Sequence, residues 1–332
     1  MKKNHSILII LLAVFALCLT AGTQLKAADL KPLKVGYGGS LCEGPLHIAI
    51  EKGFFAGEGL DVEAIKLAPG TNFEAISAGK IDASFGLLAT LIQPLSNGLP
   101  IKITTGLHTG CDKLLVPADS GIKTLSDLKG KRIGVPSLAS SPIMFAKRAL
   151  AAAGVGVSDK NLEVEFIVFS NAELALALQK GAVDAIAAND PVASRAAHEF
   201  KLTVLLDSAL DKPYENQYCC SAYVSDDLFA NDPDTAAKFT RAMQKASAWI
   251  QHNQDETAAI QVEKNYVPGD PVFNAAVLKT FNYIPSVKGA YDAFAITAQE
   301  LKQIGVLAED VDVKRLQENS FAFLPGVDDT VK

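Results

Sequence analysis

Two short blocks, one in each half of an α/β-patterned stretch, constrain this chain more than any other feature. Ala75-Ile-Ser-Ala-Gly-Lys-Ile-Asp-Ala83 aligns with Ala177-Leu-Gln-Lys-Gly-Ala-Val-Asp-Ala185. Each reads as a helix end, a glycine stop and a strand carrying Asp-Ala. Upstream, Lys34-Val35-Gly36 matches Arg132-Ile133-Gly134, and each is followed by a small-residue loop and an apolar helix. Matched blocks in one order imply two related α/β units, from about 33 to 110 and from about 131 to 207.

The first unit opens on Val35 to Phe55, VGYGGSLCEGPLHIAIEKGFF. The pattern predicts a strand to Tyr37, a glycine-rich turn over Gly38–Gly44 and a helix from Pro45, where a missing N–H costs nothing. Such a turn is either an ordinary βα connection or a place to hold a small molecule. Strand and helix signals then alternate as far as Asp207, the signature of mostly parallel sheets flanked by helices. After Cys220 the pattern becomes helical, with Asp232-Pro233-Asp234 as a helix start, and these helices are expected to pack around the first unit.

The N-terminus stands apart. Lys2 and Lys3 precede an uncharged apolar run, Ile7 to Leu19, and a polar segment ends at Leu25-Lys26-Ala27. That is the layout of a secretory signal peptide over residues 1–27, so an exported, soluble protein is expected. Leu17 stands before Cys18 where a lipoprotein signal takes a small residue, which argues against a lipid anchor. Without residues 1–27 the chain carries 28 basic and 37 acidic residues, a net charge of −9. With no basic run, neither nucleic acid nor an anionic membrane is an expected partner. Four cysteines remain after cleavage: Cys42, Cys111, Cys219 and Cys220.

Five motifs lie in order along the chain: Ala49-x-Glu51-x-Gly53-Phe54-Phe55, Glu58-Gly59-Leu60-Asp61-Val62, Gly79-x-Ile81-Asp82-Ala83, Leu125-x-Asp127-Leu128-x-Gly130-Lys131-x-Ile133-Gly134 and Gly181-x-Val183-Asp184-Ala185. With these motifs the chain resembles the periplasmic substrate-binding proteins of ABC importers, in the subfamily of nitrate, taurine, alkanesulfonate and thiamine-precursor binders. The resemblance implies a two-lobed α/β fold of the type II periplasmic-binding-protein kind, with ligand in the cleft and two chain crossings as hinge. On this resemblance, residues 28–116 with 219–332 form lobe 1 and residues 117–218 form lobe 2. It also implies a monomer that closes on a small-molecule ligand and delivers it to a membrane permease with a cytoplasmic ATPase.

In such sheets ligand sits beyond the carboxyl ends of strands, at helix N-termini. The loops so placed offer Ser40, Cys42, Glu43, Leu88, His108, Cys111, Ser137, Ser140, Ser141, Asn189 and Asp190, and the return strand offers Tyr218 and Cys219. For the serines and for Asn189-Asp190 the competing role is plain helix capping. Glu43 and Asp190 bring negative charge with no Arg or Lys in these loops, which points away from a bare anion and towards a neutral, zwitterionic or cationic ligand. The cysteines leave three readings open: unrelated thiols, a disulfide such as Cys42–Cys111, or capture of a soft metal or thiol-reactive ligand by Cys42, Cys111, Cys219 and Cys220 with His108. No cofactor is otherwise expected. The chain has no G-x-S-x-G, H-E-x-x-H or phosphate loop, so a binding protein is expected rather than an enzyme. The alternatives are a sensor domain, or a metal-handling protein or enzyme on the same scaffold. The last would be akin to the thiamine-pyrimidine synthases, whose cysteine-rich run Tyr218-Cys219-Cys220 resembles only weakly.

Overall fold

The computed structural model describes residues 30–68 and 71–331, so the signal-peptide expectation falls outside the described residues. Two five-stranded sheets organise the chain. The first is built from β1 (Lys31–Tyr37), β2 (Leu60–Lys66), β3 (Ala83–Leu87) and β4 (Ile101–Thr109). The second is built from β5 (Asp112–Val116), β6 (Arg132–Val135), β9 (Glu165–Val168), β10 (Ala185–Asn189) and β11 (Thr203–Asp207), with the small hairpin β7 (Val157–Ser158) and β8 (Asn161–Leu162) outside it. β12 (Tyr218–Ser225) returns to the first sheet. The orders are β2-β1-β3-β12-β4 and β11-β5-β10-β6-β9. In each five-stranded sheet four strands run in one direction, and one, β12 in the first and β5 in the second, lies antiparallel to both its neighbours.

The repeated sequence block has a repeated structural cause. Gly79 and Gly181 both sit at positive φ, 66° and 68°, a conformation that costs glycine nothing. The following aspartates then make the same two contacts. Asp82 Oδ2 accepts from the Lys34 N–H at 2.8 Å, and Asp184 Oδ2 accepts from the Arg132 N–H at 2.9 Å. Their own N–H groups donate to the carbonyls of Lys34 and Arg132 at 2.8 Å. Ala83 and Ala185 come next, both fully buried. The Asp-Ala step is thus a clamp that fixes strand register in each lobe.

One boundary differs from the sequence-based expectation, which ends lobe 1 at Val116. β5 pairs antiparallel with both β10 and β11, Leu115 lying opposite Ile186 and Val204. The chain therefore leaves the first sheet at Gly110–Cys111, before β5, and comes back at Tyr218. Each central antiparallel strand is supplied by chain that has just crossed from the other lobe.

The helices after β12 pack on the first sheet. Asp232 caps the helix Pro233–Ile250 by accepting from the Thr235 N–H at 3.2 Å, with Pro233 in the first turn. The helix Val287–Gln303 packs on β4 and β12 and also touches the second lobe's helix Ser141–Ala152. One apolar cluster runs through both lobes, from Leu88 and Ile103 to Leu114, Phe145 and Phe294. Among the described residues no helix is long and apolar enough to cross a membrane.

The helix Gly44–Glu51 carries a fully buried imidazole, His47, stacked 4.1 Å from Tyr266 and with Nδ1 3.0 Å from Gln261 Nε2. Burial pushes its pKa down to about 3. The folded state therefore refuses a proton that the unfolded chain takes up near pH 6.5. Stability from this group is whole above that value and is lost as pH falls towards 3, by up to about 1.4 kcal/mol per pH unit. Urea unfolding at pH 7 and pH 4.5 should show His47→Gln with a shallower acid loss than the parent; equal slopes would contradict this.

Candidate functional site

A crevice of about 40 Å³ lies where the lobes meet. The second-lobe wall is one face of the helix Ser141–Ala152, with Ser141, Phe145 and Arg148 spaced at i, i+4 and i+7. Asp112 at the outward crossing and Tyr218 with Cys219 at the return crossing line it too. The Ser141 hydroxyl donates to Asp112 Oδ2, while Asp112 Oδ1 is buried without a partner. Burial pushes the Asp112 carboxyl up to about 7. Arg148 joins the walls: its Nε donates to Glu300 on the helix Val287–Gln303, and its Nη2 donates to Gln217. A wider groove of about 810 Å³ on the outer side of the second lobe, by Leu138, Lys147 and Phe166, shares no side chain with the crevice.

Behind Cys219 lies a cluster of sulfur and nitrogen. Cys42 Sγ, Cys220 Sγ and one ring nitrogen of His108 lie within 4.8 Å of one another, as do Cys111 Sγ, Cys219 Sγ and a carboxylate oxygen of Asp112. All four cysteines are free thiols, and Cys111 Sγ is 2.9 Å from Cys219 Sγ. Burial holds the Cys111 thiol well above its ordinary range. The hydrogen bond with Cys111 pulls the Cys219 pKa down. His108 is fully buried against Phe281, with Nδ1 3.1 Å from the Thr109 carbonyl and Nε2 without a partner.

Of the site residues expected from sequence, Ser141, Tyr218 and Cys219 face the crevice. Cys42, His108 and Cys111 join the buried cluster. Glu43 does neither. Its carboxylate accepts from the N–H groups of Gly38 and Ser40, each at 2.7 Å, and of Gly39, tying down the glycine turn. Burial still pushes it up to about 7. Asp190 is also a strut: Oδ1 accepts from the Ser194 N–H at 2.9 Å, and Lys113 Nζ lies 3.1 Å from Oδ2. Capping accounts for Ser40, whose Oγ accepts from the Cys42 N–H. Ser140 turns back to the Ser137 carbonyl, Ser137 is exposed, Leu88 is core, and Asn189 ends β10 away from the crevice lining. Asp112 and Arg148 go unnoticed in the sequence, though the Ser141, Phe145, Arg148 spacing would have marked the arginine as sharing the serine's face.

Residues 43–257 match the family model described as NMT1/THI5 like. The chain belongs to this family. It is 28% identical to a putative thiamine biosynthesis protein of Haemophilus influenzae, over 81% of this chain and 87% of that protein. It is 27% identical to a putative aliphatic sulfonates-binding protein of Bacillus subtilis, over 97% of this chain and 96% of that one. Among solved structures, the periplasmic aliphatic sulphonate binding protein of Escherichia coli superposes with a TM-score of 0.72 at 19% identity, covering 90% of this chain and 94% of that one. At that identity the likeness establishes the fold, a two-lobed periplasmic-binding-protein architecture.

Proposed function

We propose that this chain is the exported solute-binding component of an ABC importer, a monomer that captures a small molecule between its lobes and presents the closed form to a permease driven by a cytoplasmic ATPase. The observation that carries this reading is the crevice itself, walled by both lobes and both crossings and bridged by Arg148 and Glu300. Closure about two crossings is how such a fold converts ligand binding into a shape that a second protein reads.

The crevice also narrows the ligand. About 40 Å³ admits only a few water-sized groups, so the closed form holds something small. Its cation is already paired, and Asp112 adds an acceptor, so a free sulfonate or nitrate would meet no unpaired positive charge. A neutral or cationic ligand suits this lining better than the anions named for several relatives.

Native mass spectrometry and small-angle scattering on protein isolated from its own host test the reading. A retained low-mass species and a compact form that expands when the species is removed are expected. Arg148→Met should weaken retention by about tenfold, because the bridge across the lobes is lost while the fold on either side stays intact. Turnover of the retained species, or the same scattering with and without it, would overturn the proposal.

A further inference from the structure

The cluster behind the crevice contains donors that neither closure nor the fold requires. We infer that Cys42, Cys220 and His108 form a binding site for one thiophilic d10 cation, Zn(II) or Cu(I), and that this cation is the cargo of the cleft. The inference rests on the reading of the cleft as a capture site and gives its ligand a chemical class.

The donors converge from separate elements. Cys42 follows β1, His108 lies near the end of β4 and Cys220 near the start of β12, and their ligand atoms lie within 4.8 Å of one another. Buried cysteines packing as small hydrophobes would need none of the other features. His108 is the first of these. A fully buried imidazole without a partner on Nε2 is costly, and its Nδ1–H, held by the Thr109 carbonyl, fixes the tautomer that leaves Nε2 free to ligate. The Tyr283 hydroxyl beside it, with ring centroids 4.9 Å apart, is also buried and unpartnered. The third feature adjoins the site: Cys111, grouped with Cys219 and Asp112, holds a φ of 117° at the crossing, a conformation that a non-glycine residue keeps only where its surroundings impose it.

Two sulfurs and one imidazole nitrogen satisfy a three-coordinate Cu(I), or supply three ligands of a Zn(II) site with one position open. As each sulfur–metal bond forms, the thiol concerned releases its proton to solvent, and no electron is transferred. The site is reached through the crevice, where half-buried Cys219 stands between solvent and the cluster. Cys219 is therefore the entry thiol. A cation held by Cys220 together with Cys42 and His108 pins the start of the return strand, so occupancy is coupled to the crossing that leads into it.

The test uses the signal-cleaved protein, fully reduced and transferred anaerobically. Zn2+ alone and Cu+ alone are titrated against chromophoric chelators, and Co2+ alone serves as an optical probe of thiolate coordination. One equivalent bound with sub-micromolar affinity, thiolate-to-cobalt charge transfer and a scattering change towards the compact form are expected. Cys42→Ser with Cys220→Ser should lower affinity by about a hundredfold or more, and His108→Gln by about ten- to a hundredfold. Should the double variant fold poorly, Cys219→Ser provides the second arm, slowing uptake and weakening retention by about tenfold. Failure of the reduced protein to retain either cation, or retention unchanged in the double variant and in His108→Gln, overturns the inference. If host-isolated protein then still closes on another small molecule, the capture reading stands without the metal. Tight metal with no scattering change overturns its role as cargo.

Discussion

Lys113→Met is expected to lower the free energy of unfolding by about 3–5 kcal/mol, the cost of stripping the partner from buried charge. Lys113 is only 3% exposed, in the middle of the second sheet. Its Nζ lies 2.7 Å from Asp207 Oδ2 and 3.1 Å from Asp190 Oδ2, and both aspartates are buried as well. Removing the ammonium leaves two carboxylates facing each other without water, and burial already pushes Asp190 upward with the lysine in place. In the variant one carboxyl should stay protonated to higher pH than in the unfolded chain. Its cost is then small at acid pH and grows as pH rises through the ordinary carboxylate range. Urea denaturation at pH 4 and pH 7 would show this. Adding Asp190→Asn and Asp207→Asn should recover most of the loss, since isosteric neutral groups need no counterion. A single-variant loss below about 1 kcal/mol would mean that water reaches the triad.

The triad matters to the cleft because of where it ties the chain. The Asp190 N–H donates to the Cys111 carbonyl at 2.9 Å, and Ser208, next to Asp207, accepts from the Asp112 N–H at 2.9 Å. Lys113 thus anchors both sides of the outward crossing, from which Cys111 and Asp112 project into the cluster and the crevice.

Local chemistry in this fold was legible wherever its cause was local. The glycine stops and the Asp232-Pro233 helix start each depend on residues a few positions apart, and each took the expected form. The lobe to which β5 belongs was not legible, because Lys113–Val116 reads as the same half-polar strand whichever sheet accepts it. Pairing with β10 and β11 is a tertiary decision. Glu43 and Asp190 misled for a related reason: a carboxylate in a loop looks available until the backbone folds its own N–H groups onto it, as Gly38 and Ser40 do for Glu43. The cysteines show the opposite case. Their spacing matches no metal-binding pattern, yet strands β1, β4 and β12 of one sheet bring their ends together. The topology supplies that convergence, which the sequence left as one of three readings.

Gly289→Ala should cost about 1–3 kcal/mol in stability and about tenfold in retention of the cleft's ligand, although alanine is the better helix former by about 1 kcal/mol. Gly289 lies in the first turn of the helix Val287–Gln303, where its N–H donates to Ser286 Oγ at 2.8 Å. A Cβ there would stand 2.2 Å from Tyr218 Cε2. The ring cannot swing away, because on its other side a Cβ on Gly106 would stand 2.3 Å from Tyr218 Cδ1. The phenol end is held as well, donating to the Ile284 carbonyl. Tyr218 is therefore gripped between two glycines and an acceptor, and the grip positions Cys219, the next residue, at the crevice. A methyl on Gly289 must push the tyrosine and its neighbour together. Thermal unfolding separates the steric loss from the functional one: Gly289→Ala with Tyr218→Ala should regain stability by relieving the clash. Retention should stay impaired, because the tyrosine that positioned Cys219 is gone. If Gly289→Ala alone retains ligand as the parent does, the ring moves freely and does not set the position of Cys219.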